Sequence, residues 1–330
     1  MNPNHLEIRV NEQSWPLDQP FRTARGASTE ARVIVVSVSD GRHRGRGEGA
    51  PISRYGQTIA SITAQIEQIS ARSEEIDRQQ VQQLLPAGAG RNALDCALWD
   101  LEAKVSGKRA WELAKIEIAP SVETALTISL DAVEKMAAAA KTNAHAPLLK
   151  LKLGGDESDL ARVEAVRENA PAARLMVDAN ESWSPSHYRA IVSDLARLGV
   201  ELIEQPFPEA ADDVLEKLDH PVPVCADESC HTSADIPHLA KRYEAINVKL
   251  DKTGGLTEAL LLTESARLHG LKILFGCMVC TSLGIAPARL LVRATDYVDL
   301  DGPLLLAGDR HYGLCYEDGK IGVPSRELWG

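Results

Sequence analysis

The sequence predicts an α/β fold in which a barrel of eight parallel strands follows a smaller α+β unit. Two observations carry this. From about residue 121, short apolar segments alternate with segments of helical periodicity, the pattern of repeated βα units. The polar residues that end four successive apolar segments, Asp178, Glu204, Asp227 and Lys249, are spaced by 26, 23 and 22 residues, one compact βα unit each time.

Upstream, residues 6–10 and 31–39 alternate or are β-branched, and Asp40-Gly41 signals a hairpin turn. The chain therefore opens as an antiparallel meander running to about Glu48. Helical periodicity follows at 58–70 and at 91–105, where Leu94, Ala97, Leu98 and Leu101 share a face and Gly107 supplies the stop. Barrel strands are expected at 123–130, 148–153, 174–178, 201–205, 222–227, 245–250, 271–276 and 297–300. Helices are expected at 156–169, 257–268 and 282–295. The division is then an α+β unit at 1–120, the barrel at 121–305, and a tail at 306–330 that packs back on the first unit. A doubly wound open sheet is the rival fold. No Gly-x-Gly-x-x-Gly follows a strand at a helix start, and Gly45-Arg46-Gly47-Glu48-Gly49 lies in a hairpin context.

At 330 residues, 44% hydrophobic and 25% charged, the chain can bury a real core, built mainly of Ala, Leu, Ile and Val because aromatics are only 4%. A net charge of -11 argues against nucleic acid as a partner. The basic run at 42–46 reads as a solvated hairpin arm. No apolar run reaches the ~18 residues that span a bilayer, which argues against a membrane partner. The N-terminus lacks the pattern of a signal peptide. Cys96, Cys225, Cys230, Cys277, Cys280 and Cys315 are scattered through apolar segments, so a reducing cytoplasm is expected.

Asp178, Glu204 and Asp227 each follow a buried apolar strand, where an unpaired charge is costly. Parallel barrel strands bring these ends to one face, and a shared cation resolves the repulsion. Three carboxylate oxygens suit a hard ion such as Mg2+. In Leu149-Lys150-Leu151-Lys152 alternation puts both lysines on the inward face, where like charge should draw a lysine pKa down toward a useful base. Lys249 stands on the far side of the acids, with Asp251 expected on its face and Lys252 off it. A cation flanked by bases suits removal of a proton next to a substrate carboxylate, the ion stabilising the enediolate. With Lys152 and Lys249 on opposite sides of the carbon, the result is racemisation or epimerisation.

Lys150-Leu151-Lys152, Val177-Asp178-Ala179-Asn180, Glu204-Gln205-Pro206, Ala226-Asp227-Glu228-Ser229 and Lys249 together resemble the muconate-lactonizing-like subgroup of the enolase superfamily. The resemblance covers nearly the whole chain. It implies a capping domain ahead of a modified (β/α)7β barrel, one Mg2+ per subunit on Asp178, Glu204 and Asp227, and Lys152 and Lys249 as a two-base pair; superfamily sites set a Lys or His base beside Mg2+. Asp299-Leu300-Asp301 resembles the Asp-x-Asp of dipeptide epimerases, which holds the substrate α-ammonium, and two aspartates sharing a face suit a cationic amine. The runs at 249–259, 276–282 and 91–104 are similar to those of bacterial L-Ala-D/L-Glu epimerases. This resemblance implies a small dipeptide substrate from murein turnover and allows a homo-oligomer. It implies Arg25, in a mobile loop with Gly26, Ala27 and Ser28, as the partner of the substrate glutamate side chain, with Arg22 and Arg54 as weaker candidates. Thr127 and Lys150 join the substrate-binding set. Cys280 stands where many relatives carry Glu, and Cys277-x-x-Cys280 is read as packing. An N-acylamino-acid racemase and an o-succinylbenzoate-synthase-like enzyme are the in-class alternatives, although their substrates lack the ammonium that Asp299 and Asp301 suit. A metal-holding binding protein without turnover is the alternative of another class.

Overall fold

The computed structural model describes residues 6–71 and 76–330. Glu7–Thr23 (β1) and Gly26–Ser39 (β2) form one long antiparallel hairpin, with Glu7 opposite Ser39 and Thr23 opposite Gly26; Arg44–Gly49 (β3) completes the sheet. The first strand runs far past the expected 6–10. Its polar stretch has no apolar alternation to read, yet β2 supplies it with main-chain partners. Ile59–Ser70 (α1), Arg78–Leu84 (α2) and Ala89–Ser106 (α3) pack with this sheet. Thr58 caps α1 in a reciprocal box with Ser61, and α3 stops at Gly107, whose φ of 70° is left-handed.

After Ala110–Leu113 (α4) and Val122–Glu123 (β4) the barrel begins. Its elements are Leu126–Ile128 (β5), Val133–Thr142 (α5), Leu148–Lys152 (β6), Asp159–Asn169 (α6), Arg174–Asp178 (β7), Pro185–Arg197 (α7) and Val200–Glu204 (β8). A 3-10 segment, Glu209–Lys217, leads to Val224–Ala226 (β9), then Ile236–Leu239 (α8) and Ala245–Val248 (β10). Leu250–Thr253 (α9), Leu256–Leu268 (α10), Lys272–Gly276 (β11), Ser282–Ala288 (α11) and Tyr297–Asp299 (β12) finish it. Strands β5 to β12 pair in sequence order, all parallel, and Ala125 N donates to Val298 O at 2.8 Å, drawing the last strand to the first. The expected helix at 282–295 stops at Ala288, just after Pro287, which has no amide to donate to the turn behind it. Among the described residues no helix is long and apolar enough to cross a membrane.

Tyr316–Glu317 (β13) and Lys320–Ile321 (β14) form a hairpin that pairs with β4. The chain end lies on α3: Trp329 Nε1 donates to Cys96 O at 3.0 Å and Gly330 N to Asp100 Oδ1 at 2.8 Å. Arg46 is not part of a solvated arm, because it donates to Glu327 O and Leu328 O at 2.7 and 2.8 Å.

The glycines of 45–49 serve packing. A Cβ at Gly45, Gly47 or Gly49 would stand 2.1–2.2 Å from the carbonyls of Ala97, Ala93 and Ala89, one helical turn apart on α3. Alternate strand positions are bare so that the helix backbone can lie directly on β3, and Glu48 on the other face points at the barrel. Gly47→Ala is therefore expected to destabilise the protein by about 1–3 kcal/mol, as overpacking does. A urea melt within ~0.5 kcal/mol of the parent, in the range of a neutral surface change, would show that α3 yields freely.

Candidate active site

The barrel interior is laid down in steps of two residues. Ala125, Leu148, Met176, Leu202, Cys225, Ala245, Leu274 and Tyr297, one from each strand or its lead-in, form an apolar plug. Two residues further on stand Thr127, Lys150, Asp178, Glu204, Asp227, Asn247, Gly276 and Asp299. A third step gives Lys152, Lys249 and Asp301. Side chains on one strand face repeat every second residue, so this ring follows from register. An irregularity helps: Leu175 is opposite Val200 but Met176 is opposite Leu202, so the extra residue Glu201 brings Glu204 level with Asp178.

The charges interleave. Lys150, 1% exposed, lies 2.6 Å from Glu204 Oε2, 2.7 Å from Asp299 Oδ2 and 3.5 Å from Asp178 Oδ2. Lys152 meets Asp178 Oδ2 at 2.5 Å, and Lys249 meets Asp227 Oδ2 at 2.6 Å. Among the described residues no three Asp, Glu, His or Cys side chains gather as a metal-holding group as they stand, because ammoniums lie between the carboxylates. The expected lowering of the lysine pKa is not what this arrangement produces. Burial pulls Lys150 down, but Asp299, Glu204 and Asp178 outweigh it and hold the ammonium well above its ordinary value. Lys249 is likewise raised, by Asp227 and Glu204 against burial. Burial opposes ionisation of Asp178, yet Lys152 and Lys150 hold it at about 2; burial and Asp178 push Glu204 up to about 7.

The turns that present the acids are strained. Asn180, Glu181 and Gln205 have φ of 44°, 67° and 35°. Asp178 Oδ1 accepts from Asn180 N at 2.8 Å. Gln205, missed in the sequence beyond its motif, accepts from Asp227 N at 2.8 Å and donates to Phe207 O and Ser229 Oγ, both at 2.9 Å. Asn247 was also missed, although two-residue parity from Ala245 marks it; its Nδ2 donates to Glu204 Oε1 at 2.8 Å, and bare Gly276 makes room for it.

Lys252 and Asp251 exchange their expected places. The chain enters α9 at once after Lys249, so strand alternation ends there. Lys252, not Asp251, meets Asp227, at 2.6 Å from Oδ1. Thr127 N donates to Asp301 Oδ2 at 2.6 Å, and burial with Asp299 raises the Asp301 carboxyl to about 7. Arg25 sits at the tip of the β1–β2 hairpin and pairs with Glu228 and, at 3.3 Å, with Glu181; Arg54 donates to Glu181 at 2.6 Å and Arg22 to Asp131 at 3.3 Å. A cavity of about 320 Å3 under this hairpin is lined by Arg25, Lys152, Lys249, Asp299 and Asp301, among others. Cys277 also lines it, and Cys280 is buried; all six cysteines are free.

Asp251 instead ties the barrel to the N-terminal sheet: its Oδ1 accepts from Ala50 N at 2.9 Å and Asn92 Nδ2 at 2.8 Å. Burial raises its carboxyl to about 7 despite both hydrogen bonds. An unfolded Asp titrates near ~4, so folding takes up a proton between that pH and about 7, and this group's contribution falls as pH rises through the window. Asp251→Asn keeps Oδ1 as acceptor and removes the titration. The melting temperature of the variant minus that of the parent should therefore rise from pH ~4 to ~7 and then level. A difference independent of pH would refute the assignment.

Residues 131–327 match the family described as enolase C-terminal domain-like, and residues 5–114 match the mandelate racemase/muconate lactonizing enzyme N-terminal domain. L-Ala-D/L-Glu epimerase of Escherichia coli (strain K12) is 45% identical over 317 residues, 95% of this chain and 98% of that protein. N-acetyl-D-glutamate racemase of Pseudoalteromonas sp is 42% identical over 302 residues, 90% of this chain and 95% of that protein. An enolase family member from Agrobacterium tumefaciens with homology to dipeptide epimerases, solved with sodium, L-Ala-L-Glu and an ordered loop, superposes with a TM-score of 0.96 at 46% identity, covering 98% of this chain and 100% of that one. Solved dipeptide epimerases at 31% and 27% identity are complexed with Mg and a dipeptide. The chain, with its antiparallel N-terminal domain and its ring of lysines and carboxylates in a parallel barrel, belongs to the mandelate racemase/muconate lactonizing enzyme family of the enolase superfamily.

Proposed function

We propose that the protein is a Mg2+-dependent dipeptide epimerase that inverts the C-terminal residue of L-Ala-D/L-Glu by two-base proton transfer. The observation that carries this reading is topological. In a ring of eight strands, β6 and β10 are four apart, so Lys152 and Lys249 approach the cavity from opposite walls. The arc between them is β7, β8 and β9, which bear Asp178, Glu204 and Asp227; β12, with Asp299 and Asp301 at its end, faces β8. A dipeptide lying from the carboxylate arc to β12 has its reacting carbon between two lysines.

The residues fit a hard cation. Asp178, Glu204 and Asp227 are all buried, and Glu204 Oε2 has an ion contact but no aligned hydrogen bond. When bound there, Mg2+ supplies the positive charge that acidifies the proton next to the substrate carboxylate and offsets charge on the enediolate. One lysine takes the proton and the opposite lysine returns one to the other face. Asp299, whose Oδ1 is buried without a hydrogen bond, accepts from the substrate ammonium together with Asp301. Arg25, half exposed at the hairpin tip, pairs with the glutamate side chain. This reading uses the division of the chain at 120 and 305 and places the enzyme in the cytoplasm, on murein-derived peptide.

Proton NMR of L-Ala-L-Glu in D2O tests it. Metal-dependent loss of the glutamate α-proton with appearance of L-Ala-D-Glu is expected, and chelator should stop both. Lys152→Ala and Lys249→Ala should each lower epimerisation on the order of 10^2–10^4-fold, while each keeps α-proton exchange from the epimer its remaining lysine serves. No exchange by the parent with Mg2+ would sink the Ala-Glu reading.

The 42% identity to an N-acetyl-D-glutamate racemase keeps a second substrate class in view. Asp299→Asn separates the two. The KM for L-Ala-L-Glu should rise about tenfold or more, the loss of a charged hydrogen bond, while turnover of N-acetyl-glutamate is not weakened. Equal losses on both substrates would remove the ammonium role.

A further inference from the structure

Asp227 stands one residue past β9, and the β9–β10 ladder consists only of Cys225 opposite Ala245 and Ala226 opposite Ile246. Where it stops, Lys252 bridges the two strands. Its Nζ donates to Asp227 O on one side and to Asn247 O on the other, at 3.0 Å, and lies 2.6 Å from Asp227 Oδ1. Two of its three N–H bonds are spent on main-chain carbonyls, and its charge is in ion contact with Oδ1. It is 3% exposed. The neighbouring Lys249 is held differently: its ion pairs are to carboxylate oxygens, Asp227 Oδ2 at 2.6 Å and Glu204 Oε1 at 3.8 Å. Side-chain oxygens can turn away to free a lysine, whereas the main-chain carbonyls of two strand ends cannot.

We propose that Lys252 is a positioning residue for Asp227. It pins the main chain and Oδ1 of that aspartate to β10, which leaves Oδ2, the oxygen that Lys249 meets at 2.6 Å, facing the site. Gln205 holds the amide of the same residue from the β8 side, so Asp227 is fixed at both its N–H and its C=O. The inference rests on the metal-assisted epimerase reading above.

The test separates position from charge. If Lys252 were only a nearby positive charge, its removal would tighten a divalent cation. If it positions Asp227, its removal loosens the cation. The probe is Mn2+, which carboxylate sites also take, titrated into the full chain without substrate and followed by electron paramagnetic resonance. Lys252→Met should bind Mn2+ about 10–100-fold more weakly, the range for outer groups that orient ligands. With L-Ala-L-Glu and L-Ala-D-Glu in D2O, exchange at limiting Mn2+ should fall from both epimers alike. Unchanged or tighter Mn2+ binding overturns the proposal, as does loss of exchange from one epimer alone, which would mark Lys252 as a base. If Lys252→Met loses its cooperative melt, Lys252→Ala, which leaves room for water to meet the two carbonyls without tying Asp227 to β10, is read by the same criteria. A parent that binds Mn2+ but turns over no dipeptide, with weaker binding in the variant, leaves Lys252 as a positioning residue and removes the epimerase reading. A parent that binds no Mn2+ removes both.

Discussion

Everything at the mouth of the barrel depends on how opposite charges are interleaved one step above the apolar plug. Lys150 is the centre of it, in ion contact with Glu204, Asp299 and Asp178 at once. A buried carboxylate without a partner carries a desolvation penalty of several kcal/mol. Each acid of the ring is close to at least one ammonium or amide. The same mesh holds Lys150 and Lys249 above the ordinary lysine range. In the proposed reaction Lys249 becomes a usable base only when some other positive charge relieves the carboxylates it neutralises.

The N-terminal domain is joined to that ring through individual groups rather than through a broad apolar seam alone. Glu48, 2% exposed on β3, accepts from Thr281 N at 2.8 Å and from Arg310 at 2.6 Å, across the start of α11. Asp251, two residues after Lys249, accepts from Ala50 and Asn92. Arg25 reaches Glu228, the residue after Asp227, from the hairpin tip. Glu48 points at the barrel because its neighbours Gly47 and Gly49 give the opposite face of β3 to α3. The packing of a small domain thus aims a carboxylate at the loop after β11.

Much of the site was legible in the residues. Parity along Leu149–Leu153 places both lysines inward, and even spacing puts Asp178, Glu204 and Asp227 on equivalent strand ends. What escaped did so for identifiable reasons. Lys252 was set aside because alternation was carried past Val248, where the backbone turns helical. Asn247 looks like an ordinary polar residue until its two-residue distance from Ala245 is read against the closed ring. Gln205 acts through a left-handed backbone that a single residue name does not announce. The lowered lysine pKa failed because it weighed Lys150 against Lys152 alone, and the carboxylates that raise it come from β7, β8 and β12.

The sequence alone determined the alternation of strand and helix, the barrel and the inward face of Leu148–Lys152, since periodicity is a local property. Only the tertiary structure decided which charges meet. Those pairings join residues as far apart as Lys150 and Asp299, and they depend on closure of β12 toward β5 and on the extra residue at Glu201. Closure and register are properties of the whole ring, so they set distances that no segment of chain specifies by itself.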